Sequence, residues 1–106
     1  MMLLTKANKK ALPEFLATDE QGDQALAQVK FFTPDAQWTW YAVEFDGVDK
    51  FFGLAIGFEI ELGYFSLSEL QSIRGPWGLA IERDRHFMPQ SIGELKTKHR
   101  DMRGGH

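Results

Sequence analysis

Apolar and polar positions alternate with a period of two through the middle of the chain, the period of strands rather than helices. The clearest run covers residues 52–64. Phe52, Leu54, Ile56, Phe58, Ile60, Leu62 and Tyr64 fall on one side; Gly53, Ala55, Gly57, Glu59, Glu61 and Gly63 fall on the other. A second run, Trp38-Thr39-Trp40-Tyr41-Ala42-Val43-Glu44-Phe45-Asp46, precedes it. Asp46-Gly47 is a favoured turn dipeptide, so the two runs predict a hairpin around residues 46–50. With Asp46 opposite Phe51, Trp40 faces Gly57 and Trp38 faces Glu59. An indole then fills the space that the glycine leaves.

Shorter patterns flank this hairpin. Residues 28–33 read as a strand that Pro34-Asp35 turns, and residues 79–85 as another, with Ala80, Glu82 and Asp84 on one side. Ser66-Leu67-Ser68-Glu69 is a capping box with Phe65 and Leu70 at staple positions, which predicts a short helix over about 67–73. Ser91-Ile92-Gly93-Glu94 opens a further helix in the same way, to about His99, before a frayed tail over about 101–106. Residues 5–18 are helical in pattern but broken at Pro13, which is expected to start a second short helix. Residues 19–27 read as a loop. The sum is an α+β fold: a single domain over 1–106, with an antiparallel sheet of about four strands and short flanking helices.

Composition supports a globular chain. It has 106 residues, a hydrophobic share of 43% and nine phenylalanines, enough for one core. Cysteine is absent, which removes disulfides, thiolate metal sites and cysteine nucleophiles. No secretory signal pattern opens the chain, and no apolar run approaches the ~20 residues of a membrane span. A cytoplasmic protein is the expectation.

Charge adds a gradient to the picture. Residues 31–72 carry seven acids against Lys50 alone, a net of −6 within an overall −3. Residues 73–106 carry a net of +3. Glu44, Asp46, Glu59, Glu61, Glu82 and Asp84 are expected on one side of three strands. Such carboxylates can dock arginines in bidentate pairs or hold a divalent cation. They can also simply keep an outer sheet face wet. Trp38 and Trp40 beside glycines form a shelf for a cationic or planar ligand, or else pack under a helix. Glu82, Asp84 and His86 alternate along one strand, but successive members stand roughly 6.6 Å apart, too far for tight chelation alone. Lys96, Lys98, His99, Arg100 and Arg103 make the C-terminal helix basic, the one segment suited to nucleic acid. There is no phosphate loop, dinucleotide fingerprint or nucleophile elbow, so no catalytic residue and no cofactor is assigned.

Several blocks occur together in a recognisable order: Leu3-Leu4-Thr5-Lys6 with Leu12-Pro13, Val29-Lys30-Phe31-Phe32 with Pro34, and Trp38-Thr39-Trp40-Tyr41 with Glu44. Phe52-Gly53-Leu54, Glu61-Leu62-Gly63-Tyr64-Phe65-Ser66-Leu67 with Glu69-Leu70, and Glu82-Arg83-Asp84 with Phe87 follow. The chain resembles the bacterial domain of unknown function 2958 over nearly its whole length. That resemblance implies accessory, transfer or anti-defence roles on plasmids, conjugative elements or phages, and supplies no catalytic residues. Three readings follow. The first is a non-catalytic module that docks a basic protein partner through the acidic face, as in an inhibitor that mimics nucleic acid. The second is a metal-dependent hydrolase or nuclease built on the same carboxylates. The third is a purely structural domain. The sequence leaves the oligomeric state open.

Overall fold

Alternation builds the sheet, and a turn that the pattern does not announce divides it. The computed structural model describes residues 2–104. Strands β2 (Val29–Phe32), β3 (Thr39–Phe45), β4 (Lys50–Ile56), β5 (Ile60–Ser66) and β6 (Glu82–Arg83) form an antiparallel sheet in the order β5-β4-β3-β2-β6. Two further short strands, β1 (Leu26–Ala27) and β7 (Gln90–Ser91), pair with each other. The helices are α1 (Lys6–Ala11), α2 (Leu67–Ser72) and α3 (Ile92–Gly104). The main sheet thus has five strands, one more than expected. The run 52–64 is two strands joined at residues 57–59, where the Gly57 amide donates to the Glu59 carbonyl at 3.0 Å.

The register differs from the expected one. The hairpin closes with Phe45 opposite Phe51, and a bulge between Ala42 and Glu44 shifts the rest, so that Trp40 faces Ala55. Trp40 does lie on the side of Gly53 and Ala55, as the alternation requires, but two residues away from Gly57. The partner of Gly57 is Trp38. A Cβ on Gly57 would overlap the six-membered part of the Trp38 ring. An indole over glycine is therefore present, with the other tryptophan.

Both sheet faces are buried, where alternation suggests one buried and one wet. On one face Phe31, Trp40, Phe45, Phe51 and Phe65 pack against Leu3, Leu4, Leu12, Leu70 and Ile81. Phe51 sits at the centre, with ring centroids 4.8 Å from Phe45 and 5.2 Å from Phe65. On the other face Tyr41, Val43, Leu54 and Ile56 pack against Ala25, Ala27, Ile92 and Leu95. The α1–α2 side thus covers one face and α3 the other.

The apolar row of 52–64 is only partly core. Leu54 and Ile56 are buried, but Tyr64, the last residue of the same apolar row, is 65% exposed on edge strand β5. Central strands gain cover on both faces; an edge strand outruns it.

The local signals read as follows. The α2 cap forms: Ser66 Oγ accepts from the Glu69 amide at 3.1 Å, while the Glu69 carboxylate takes the Ser66 hydroxyl rather than its amide. Phe65 and Leu70 meet in the same core. Ser91 and Glu94 repeat that pattern at α3. The latter helix reaches Gly104, beyond the expected end at His99, because Arg103 donates to the carbonyls of Gly57 and Phe58 and anchors its last turn. The fraying expected of Gly105 and His106 lies outside the described residues. Pro13 does not open a helix; the chain is extended there, turns at 15–18, and forms a 3-10 helix at Asp19–Gln24, where the polar pattern predicts a loop. The 79–85 strand shrinks to Glu82–Arg83. No described helix is long and apolar enough to cross a membrane.

Candidate functional site

The six carboxylates of the expected acidic face are divided by topology. Residues opposite each other in a ladder share a face. The row Arg83–Phe31–Trp40–Ala55–Glu61 therefore crosses one face, and Glu82, opposite Phe32, lies on the other. Glu61 stands on edge strand β5 and Glu82 on edge strand β6, four strand spacings apart, or roughly 19 Å. Among the described residues, no three His, Asp or Glu side chains gather as a metal site would require.

Three of the six are engaged in local structure. Glu44 is 4% exposed and holds the turn at 15–18: its carboxylate accepts from the Leu16 amide at 3.0 Å, and from the Thr18 amide and hydroxyl at 2.9 and 2.5 Å. Leu16 takes φ 71° there, a left-handed conformation unfavourable for a side chain with a Cβ. Asp46 closes its own hairpin, with one oxygen accepting from the amides of Val48, Asp49 and Lys50. Donation from Val48 and Asp49 holds its carboxyl below the usual range. Asp84 accepts from the His86 amide and lies 3.8 Å from Lys30 Nζ. It and Glu82 form no common site with Glu59 and Glu61.

Glu59 and Glu61 are different. Both are exposed, and among the described residues neither carboxylate takes a hydrogen bond or an ion pair. They line a concavity of about 290 Å³ with Trp38, Ala55, Gly57 and Phe58. Trp38 is 38% exposed and Phe58, at the hairpin tip, 89%. Their rings meet edge to face at 5.5 Å, and Trp40 stacks behind Trp38 at 6.0 Å. Gly57 makes the arrangement possible, since any side chain there would push the indole away. The site joins two aromatic surfaces to two unneutralised carboxylates, the combination that receives a guanidinium or ammonium group.

Sequence reasoning missed a second polar cluster on the opposite face. Tyr41 Oη and His99 Nε2 lie 2.6 Å apart. Burial, reinforced by the charge of Asp84, pushes the Tyr41 phenol up to about 12. Burial, with help from Lys98, Lys30 and Arg103, pulls His99 below its ordinary value. Both are neutral at pH 7 and share one hydrogen bond, whose donor is set by the imidazole tautomer. The signal for this pair was the unpatterned His99 within an otherwise charged helix.

Fold and site together define a small α+β sheet domain with an aromatic-acidic groove at one hairpin and no assembled catalytic constellation among the described residues. The chain belongs to the family described as Protein of unknown function (DUF2958), whose model matches residues 3–95. Comparisons with curated proteins and with solved structures found no match.

Proposed function

We propose that this protein is a non-catalytic binding module that docks a basic protein partner through the groove of Trp38, Phe58, Glu59 and Glu61. The observation that carries this reading is the pair of carboxylates left without a cation beside two solvent-facing rings. Glu59, in the turn, and Glu61, on β5, both line the groove beside Trp38, so one guanidinium can address both while stacking on the Trp38 face. The two exposed carboxylates of Glu59 and Glu61 give the groove its attraction for a basic surface. One concrete form is an anti-defence inhibitor borne by a plasmid, conjugative element or phage. Its partner would be an arginine-lined nucleic-acid site, with the carboxylates in place of phosphates. A cytoplasmic location belongs to this reading, because such partners act there.

Fluorescence titration with a capped tetra-arginine peptide tests it. Saturable quenching is expected, abolished by Trp38→Ala and weakened about tenfold or more by Glu59→Gln with Glu61→Gln. Glu69→Gln, which removes an acid outside the groove, should leave the affinity unchanged. Equal weakening by Glu69→Gln would reduce the binding to net charge and remove the groove from the argument.

A further inference from the structure

The face opposite the aromatic-acidic groove carries a larger concavity of about 490 Å³, between α3 and strands β2 and β3. Its charged lining is the reverse of the first. Lys30, Lys98 and Arg103 supply three cations, with Gln37, Thr39 and His99 as polar groups and Ile56 and Met102 as apolar floor. We propose that this groove binds the phosphate group of a small organic phosphate, with Lys30, Lys98 and Arg103 compensating its charge and the Tyr41-bonded His99 ring at its wall.

Charge, geometry and room support the assignment. Arg103 gives its hydrogens to the carbonyls of Gly57 and Phe58, which take hydrogen bonds but leave its charge uncancelled. Lys98 has no ion pair among the described residues. Of the three cations only Lys30 is ion-paired among the described residues, with Asp84 at 3.8 Å, so the cluster keeps about two unpaired positive charges, which suits a phosphate dianion. Tyr41 Oη engages His99 Nε2, which leaves Nδ1 as the ring nitrogen open to a ligand. The room exceeds what phosphate alone needs and falls in the range of small-ligand pockets. Ile56 and Met102 give the organic part an apolar surface.

The groups around His99 are Tyr41 of β3, Lys30 of β2, and Lys98 and Arg103 of its own helix, with Asp84 paired to Lys30. Filling the site with an anion among them should move the His99 ring signals.

Calorimetric titration of the whole chain at low ionic strength tests the proposal, with AMP, inorganic phosphate and a short single-stranded oligonucleotide as probes. AMP should bind saturably, inorganic phosphate should compete with it, and the His99 ring resonances should shift at saturation. Lys98→Gln, an exposed change that leaves packing alone, should weaken AMP about tenfold or more. Glu61→Gln, on the opposite face, should not weaken it, which keeps this result separate from the arginine-peptide result. An oligonucleotide that binds when AMP and phosphate do not would overturn the small-ligand assignment in favour of a nucleic-acid backbone. No binding by any probe, or AMP binding indifferent to Lys98→Gln, would overturn the site altogether.

Discussion

The two hairpins at opposite ends of β4 handle their polar groups in opposite ways. At residues 46–50 the turn is closed from within: Asp46 takes three amides, and Asp49 reaches across to the amide and hydroxyl of Ser68 at the start of α2. At residues 57–59 the turn is held from outside by Arg103 of α3, while Phe58 and Glu59 face solvent. Carboxylates near the first end complete the fold. Those near the second do nothing for the fold among the described residues, and a protein-docking role rests on that difference. The second end also separates charge by face. Gly57 lies between a groove lined by acids and one lined by bases, since successive side chains on a strand point to opposite sides.

The largest expected effect sharpens that contrast directly. Glu44→Ala removes the acceptor for two backbone amides and a hydroxyl in a buried place, and should destabilise the fold by about 3 kcal/mol. Glu59→Ala should leave the urea midpoint unchanged. If the two variants lost similar stability, Glu59 would have a structural role and the proposed docking site would lose its motive.

Next come the two turn glycines, which are needed for different reasons. Gly47 has φ 86° and no atom within 4 Å of where a Cβ would sit, so its requirement is conformational. Gly57 lacks a positive φ, and its requirement is room for Trp38. Alanine should cost about 1 kcal/mol at either position. Asparagine, which tolerates the left-handed region, should be accepted at 47 and rejected at 57, where it would also expel Trp38 and abolish arginine-peptide quenching. Urea melts with tryptophan fluorescence read both effects. An asparagine at 57 that leaves the emission spectrum unchanged would contradict the packing described.

Much of this was legible in the chain. Capping serines 66 and 91, the Asp46-Gly47 turn and the period-two runs all appear where local chemistry sets them. What failed was what tertiary structure decides. The run 52–64 is about twice a usual strand length, which was the available signal that it folds back. Its break carries only one glycine and no turn dipeptide, so local reading continued through it. That single omission moved Glu59 into a turn and placed Glu61 on an edge strand. The bulge after Ala42 then put Glu44 on the face where buried amides of a distant turn await it, and no local pattern reports such a partner. The Trp–Gly stacking was legible as a principle but not as a register. His99 drew no assignment because its partner Tyr41 lies 58 positions away in sequence.

The smallest expected effect uses pH to separate the two ends. His99 sits below its ordinary 6.5 because burial, and then Lys98, Lys30 and Arg103, disfavour its charged form. The unfolded chain therefore binds more protons there, so this contribution is intact above pH 6.5 and is lost as pH falls from 6.5 through the lower folded value. Asp46 is also depressed, by donation from the Val48 and Asp49 amides, so its contribution disappears only as pH falls below 3.8. Tyr41, raised to about 12 by burial, acts on the alkaline side: its contribution is complete below pH 10 and is lost as pH rises through 12. Stability should therefore fall in two acid steps, the first belonging to the α3 end and the second to the 46–50 hairpin. Urea midpoints between pH 7 and 5 should drop slightly in the native chain and stay level in His99→Gln, while Asp46→Asn should alter only the step below pH 4. A first step that persists in His99→Gln would assign it to another group and detach the Tyr41–His99 pair from the acid sensitivity of that end.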